Sequence, residues 1–242
     1  MSINSVRINK IKAAMKEGKK AYGAGLVFPS APIVELIGYA GFDFVSFDGE
    51  HGYFTISDIE EMCRVADQMG LTPTARVPNS DSSTILRFLD RGIMGITVPH
   101  VNTKAQAQAV VKAARYAPQG LRSFGSGRGN NYGIPQDKKK WMAEVNEQVL
   151  VITMIEDVEA IKNLDDLLSV DGIDLFTFGP QDLAQSMGYP GQPNHPEVVA
   201  AMREATQTIH KAGKKVTSDV MESLDITNLI LDAAQKLAAK GR

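Results

Sequence analysis

Phe44–His51 reads Phe-Val-Ser-Phe-Asp-Gly-Glu-His. An apolar run with β-branched and aromatic residues stops abruptly at three ionisable groups, Asp48, Glu50 and His51. In a barrel of parallel strands, side chains at the carboxyl ends of the strands line the active site. The stretch therefore reads as a buried strand that delivers charge to a catalytic mouth. It reads equally as a polar strand-to-helix turn with an N-cap.

Working outward, the same alternation recurs. Upstream, Ala21–Phe28 reads as a strand and Ala31–Ala40 as a helix entered through Pro29 and Pro32. Asn4–Glu17 places Ile8, Ile11, Ala14 and Met15 on one helical face. The central strand spans Phe42–Asp48. Downstream, Ser57 opens a helix with a Ser57/Glu60 capping box. Further strands are expected at Thr72–Val77, Gly95–Val98, Gln148–Ile155 and Ile173–Phe178, and another begins at Lys215–Thr217. Helices are expected at Asp81–Asp90, Thr103–Arg115, Asp137–Asn146, Val158–Leu168, Pro196–Lys211 and Asp225–Lys240. Strands alternating with helices argue for a parallel sheet with crossovers. Residues 1–242 carry no domain-like linker, so a single (β/α) barrel is expected in preference to an open sheet. Gly125-Ser126-Gly127-Arg128-Gly129 sits in the long loop Ala117–Tyr132, not after the first strand, which argues against a dinucleotide site.

Composition sets the outer limits. With 43% hydrophobic and 22% charged residues the chain is ordinary globular material. A net charge of −2 and a pI near 6.1 give no basic footprint for nucleic acid. The single cysteine, Cys63, rules out a disulfide framework and reads as a small core residue. Met1–Lys20 is polar and lysine-rich, unlike a secretory signal. No run approaches the roughly 20 apolar residues of a membrane span. A cytoplasmic location is expected.

The strand ends carry the candidate chemistry: Asp48, Glu50 and His51, then Arg76, Glu156 and Asp182. Glu156 and Asp182, from neighbouring strands, could share one divalent cation with waters completing the shell. Oxygen ligands of this kind suit Mg²⁺ or Mn²⁺. The spacing also allows each carboxylate to cap a helix instead. An open metal position would polarise a 2-oxo acid, and Arg76 could stabilise an enolate oxygen. His51, as an imidazole, could move a proton, with Asp48 orienting it. Backbone N–H groups around Gln181 and Asp182 could receive a substrate carboxylate. His100 ends a strand without an evident acid partner, and His195 and His210 read as helix-edge residues.

These residues resemble the class II aldolases of the HpcH/HpaI type. The resemblance runs through Phe47-Asp48-Gly49-Glu50-His51, Ala75-Arg76-Val77-Pro78, Val98-Pro99, Arg115-Tyr116-Ala117-Pro118-Gln119-Gly120-Leu121-Arg122, Ile155-Glu156, Gly179-Pro180-Gln181-Asp182-Leu183, Met187-Gly188-Tyr189-Pro190-Gly191 and His195-Pro196-Glu197-Val198. It implies a (β/α)8 TIM barrel, assembled as a hexamer, often with the last helix exchanged between subunits. It implies Glu156 and Asp182 as ligands of Mg²⁺, Mn²⁺ or Co²⁺, Arg76 on the pyruvate enolate, and His51 with Asp48 on the proton. The implied reaction is cleavage or formation of 4-hydroxy-2-oxo acids from pyruvate and an aldehyde, without a Schiff-base lysine.

Two departures stand out. Met154 occupies a position that is glutamine in many relatives. The barrel is shortened near the seventh helix and eighth strand, since one helix, Asp225–Lys240, remains where a helix, a strand and a helix are expected. An unpaired strand edge there calls for cover by a neighbouring chain. Two alternatives stand beside the aldolase. One is a carbon–carbon bond-forming synthase that takes an acyl thioester, with the Arg122–Arg128 loop on its phosphates. The other is a non-catalytic barrel. The aldehyde pocket is expected to involve that loop and a neighbouring subunit.

Overall fold

A computed structural model describes residues 5–241. Seven strands form one wholly parallel sheet: β1 (Ala21–Leu26), β2 (Phe44–Asp48), β3 (Thr72–Arg76), β4 (Gly95–Val98), β5 (Leu150–Ile155), β6 (Leu175–Phe178) and β7 (Met221–Asp225). Their order is β6-β5-β4-β3-β2-β1-β7. The expected eight-stranded barrel is not formed. The sheet curls into a half-barrel whose edges, β6 and β7, do not pair.

The cause lies in the chain between them. The expected strand at Lys215–Thr217 reduces to one parallel bridge, Val216 with Phe176. A single helical turn, Thr217–Val220, then leads straight into β7. A parallel crossover needs about a dozen residues, and the four between Val216 and Met221 cannot supply one. The final helix forms as expected, over Ile226–Ala238, with Asp225 accepting from the Asn228 amide at 2.8 Å as its N-cap.

Period-2 alternation sorts the side chains. Val45 and Phe47 of β2 join the large core between sheet and helices. Phe44 turns into the curl with Ile11, Ala21, Leu150, Ile152, Leu175 and Val220. The helix Lys10–Lys16 seals the end where the strands begin. Its cap, Asn9, accepts from the Ile11 and Lys12 amides and donates to Met94 O at 3.0 Å and Gln148 O at 2.9 Å. Burial of Ile11 there contributes roughly 1.5–3 kcal/mol. The expected start of this helix at Asn4 lies outside the described residues. The capping box of the helix Ile56–Gln68 is Thr55 with Asp58, two residues earlier than expected.

The long loop connects the helix Lys104–Ala114 to β5 by way of a 3₁₀ segment, Arg128–Gly133, and the helix Lys138–Gln148. It therefore lies at the strand beginnings. Arg122 pairs with Asp90 at 3.0 Å and Arg128 pairs with Asp67, both acids standing in the last turns of their helices. Within one chain, Arg122 and Arg128 thus face away from the strand carboxyl ends, contrary to the expected phosphate or aldehyde contact. Cys63 is fully buried beside this cluster, and burial pushes its thiol up to about 12.

Candidate active site

Register brings the first two site residues together: Asp48 of β2 lies beside Arg76 of β3. Arg76 donates through Nε to Asp48 Oδ1 at 3.0 Å and through Nη2 to Asp48 Oδ2 at 2.5 Å. Such a two-point clamp fixes the guanidinium plane as well as its position. Asp48 Oδ1 also accepts from the backbone amides of Glu50 and His51, each at 3.1 Å. Half-burial opposes ionisation of Asp48, but Arg76 and these amides outweigh it and hold the carboxyl below its usual range. Asp48 therefore shapes the turn that carries His51. It does not touch the imidazole, as the sequence had suggested.

Glu50 makes that imidazole contact. One oxygen lies 3.2 Å from Arg76 Nη1 and 3.8 Å from His51 Nε2, and the other lies 3.7 Å from His100 Nε2. His51 itself is 65% exposed, free to meet a substrate or water.

Glu156 follows β5 and its side chain is only 1% exposed. The cap of the next helix is Asp157, which accepts from the Glu159 amide at 2.7 Å, so the helix-capping reading of Glu156 does not hold. Glu156 Oε1 instead accepts from the His100 amide at 2.7 Å and lies 3.2 Å from His100 Nδ1. His100 reaches it from a left-handed backbone at φ 55°, a costly conformation for a residue with a Cβ. The other oxygen, Oε2, rests over Gly179, where any Cβ would come within 2.4 Å. Burial raises the Glu156 pKa, opposed by His100 and reinforced by the nearby charges of Glu50 and Asp182. Asp182 stands in the first turn of the helix Pro180–Ser186, beside Gln181. Met154 is buried against the same Gly179. Among the described residues, no three His, Cys, Asp or Glu side chains converge as a ready-made metal cage.

Sequence reasoning missed Glu50 as the hub of the cluster and His100 as the partner of Glu156. The position of His100, at the end of β4 next to β5, was an available signal. Its left-handed backbone was not.

An arginine clamped by two carboxylates, next to a third that is buried and poorly compensated, suits charge developing on a small oxo acid. Comparison with known proteins supplies the class, a carbon–carbon lyase: the chain belongs to the HpcH/HpaI aldolase/citrate lyase family, which matches residues 28–242. It is 35% identical over 235 residues to the 4-hydroxy-2-oxovalerate aldolase of Rhodococcus jostii (strain RHA1), covering 97% of this chain and 87% of that protein. It is 36% identical over 208 residues to the 4-hydroxy-2-oxo-heptane-1,7-dioate aldolase of Shigella sonnei (strain Ss046), covering 85% and 78%. The solved structure of the citrate synthase SbnG superposes with a TM-score of 0.85 at 29% identity, covering 95% of this chain and 96% of that one. Among the described residues, no helix is long and apolar enough to cross a membrane.

Proposed function

We propose that this chain is a divalent-metal-dependent class II pyruvate aldolase, which cleaves or forms 4-hydroxy-2-oxo acids from pyruvate and an aldehyde. The observation that carries the reading is the buried Glu156 carboxylate with Arg76 held in the same cluster. Glu156 has one oxygen cradled over Gly179, two acidic neighbours and one histidine as partner. That surplus of negative oxygen fits a hard cation, with Glu156 and Asp182 as the side chains that would hold it and Mg²⁺, Mn²⁺ or Co²⁺ as the candidates. The cation would act as a Lewis acid towards the keto acid.

The chain's own groups do the rest. The amides of Gln181 and Asp182, at the start of a helix, have no intrahelical partner and are free to receive the substrate carboxylate. Arg76 donates to the keto oxygen and stabilises the enolate as charge develops. Asp48 and Glu50 position Arg76. In cleavage the C4 hydroxyl gives up its proton, the C3–C4 bond breaks with its electron pair passing to the enolate, and an aldehyde leaves. His51, exposed and next to Glu50, carries the proton and returns one to C3, which becomes the methyl of pyruvate. Condensation is the reverse. The strand ends carry no lysine, so an imine route has no nucleophile there.

The final helix extends the proposal to assembly. Of its apolar residues, Ile226 is buried, while Leu229, Ile230, Leu231 and Leu237 are half exposed or more. A second copy covering that face, in a hexamer with exchanged C-terminal helices, accounts for it. The cytoplasm is the expected compartment.

The decisive test is exchange of pyruvate methyl protons with deuterated water, with and without chelator, on the unsubstituted protein and on E156A. Exchange that needs metal and vanishes in E156A is expected, and exchange surviving both treatments sinks the proposal. The likeness to a citrate synthase favours one second reading, a synthase taking an acyl thioester. Turnover of such a thioester without aldehyde condensation would select it. A non-catalytic binding protein would give no exchange at all.

A further inference from the structure

We propose that the seam between β6 and β7 is the subsite for the aldehyde's tail, and that it selects uncharged, hydroxyl-bearing aldehydes of four or more carbons. This rests on the aldolase reading and names the substrate class of that same site.

The seam opens on one half of the sheet only. Val216 meets β6 at Phe176, and the turn Thr217–Val220 then descends to β7, where Val220 and Met221 pack on the inner core beside Ile11 and Ala21. That closes the end where the strands begin. Towards the carboxyl ends, no backbone pairing joins Thr177–Phe178 of β6 to Ser223–Asp225 of β7.

Alternation identifies the lining. Met221 packs inside the curl and Leu224 packs outside it, so Ser223 belongs to the inner face, yet it is exposed. On β6, Leu175 packs inside and Phe176 outside, which puts Thr177 on the inner face. Its hydroxyl accepts from Thr217 Oγ1 at 3.0 Å. Between β7 and β2, the inner wall is Gly25, in register with both Ser46 and Asp225.

The two inner-face glycines of β1 differ. A Cβ at Gly23 would collide with Phe44, at 2.5 Å from its carbonyl oxygen and 2.6 Å from its ring. A Cβ at Gly25 would meet only Leu224 O, at 4.0 Å. Gly23 is filled by its neighbour, while Gly25 faces open room. That room lies one layer below the Asp48–Arg76 pair, because Ser46 precedes Asp48 by two residues on the same face. A group attached to the reacting carbon can extend from the pair into the seam.

The lining is hydroxyl-rich and carries no cation. Among the described residues, the hydroxyls of Ser46 and Ser223 have no hydrogen-bond partner. Asp225, at the rim beside Gly25, caps the final helix and adds negative charge there. Such a wall rewards a tail that brings its own hydroxyls. It gives a carboxylate tail no cation, and desolvating an unpaired charge is costly.

The test compares condensation of pyruvate with erythrose, glycolaldehyde and succinic semialdehyde, by kcat/KM, in the unsubstituted protein, G25F and S223F. Both variants fill the seam from its β7 side, at different strands, and S223F alters an exposed position should G25F fail to fold. The unsubstituted protein is expected to prefer erythrose to succinic semialdehyde by tenfold or more. Either variant should lower the erythrose-to-glycolaldehyde ratio by tenfold or more, chiefly through KM. Preference for the semialdehyde, or an unmoved ratio in a folded variant, overturns the subsite. Pyruvate proton exchange by the unsubstituted protein is measured alongside. Its absence overturns the aldolase reading and the subsite with it, whereas exchange with an unmoved ratio overturns the subsite alone.

Discussion

Buried charge gathers at both ends of the sheet, and the two gatherings are built differently. At the strand beginnings, Arg115 donates to Val149 O at 3.1 Å, to Gly172 O at 3.1 Å, to Asn146 O and to Asp174 at 2.8 Å. Lys12 donates to Val149 O at 3.1 Å and to Asp174 at 3.0 Å. Asp174 in turn accepts from the Val151 amide at 2.8 Å. These bonds tie loops to strand starts, and that is structural work. At the carboxyl ends, Glu156 is as deeply buried as Arg115, but it has one amide and a mostly exposed histidine as partners, with two further acids nearby. Depth of burial is the same at the two ends. The degree of satisfaction separates a fastening from the candidate site.

The strongest way to break this contrast is to neutralise Glu156. In E156Q, metal-dependent proton exchange is expected to fall about 100-fold or more, while the melting temperature holds or rises because an uncompensated buried charge is gone. A melting temperature that falls with activity would make Glu156 a fastening as well. The converse change, Arg115→Ala, removes one of the two cations on Asp174 and strips the donor from the carbonyls of Asn146 and Gly172. A loss of about 3–5 kcal/mol in stability is expected from denaturant unfolding, with kcat of the folded fraction unchanged.

Asp48 gives a finer discrimination. Its pKa is depressed in the folded state, so its contribution to stability is present above the ordinary carboxylate value near 3.9 and is lost as pH falls through the lower folded value. The difference in melting temperature between the unsubstituted protein and D48N should be constant from pH 7 to about 5 and shrink below about 4. A constant difference down to pH 2.5 would remove the Arg76 clamp as its source. The smallest effect is at Cys63. With its thiol at about 12 when folded, a disulfide reagent at pH 8 should label it only on unfolding. Stability should decline gently above about pH 9, because the unfolded thiol ionises first.

Much of this was legible in the residues, for physical reasons. The apolar runs of β2 to β6 end in ionisable or Pro/Gly signals, so their positions and the convergence of Asp48, Arg76 and Glu156 could be read directly. The loop's position was implied too, because a segment between a helix and the next strand must lie at the strand beginnings. Arg122 and Arg128 were nevertheless expected at the mouth. Seven strands were legible in the residues, but the last stands at Met221–Asp225 instead of Lys215–Thr217; the eight-stranded barrel came with the resemblance, and the four residues after Val216 are too few for the crossover it requires. His100 escaped because its contact with Glu156 depends on a backbone conformation that its side chain disfavours.

The sheet is finished by its two extremes: Ala21 pairs with Met221, two hundred positions later. At a ribosomal pace of about 5–20 residues per second, the first strand emerges roughly 10–40 seconds before the neighbour that covers its flank. Throughout that interval a ladder of amides and carbonyls on the nascent chain is available to any passing strand. Crowded polysomes are where this protein is most exposed to mispairing, and slowing translation over the last forty codons should lower its soluble yield more than slowing it elsewhere.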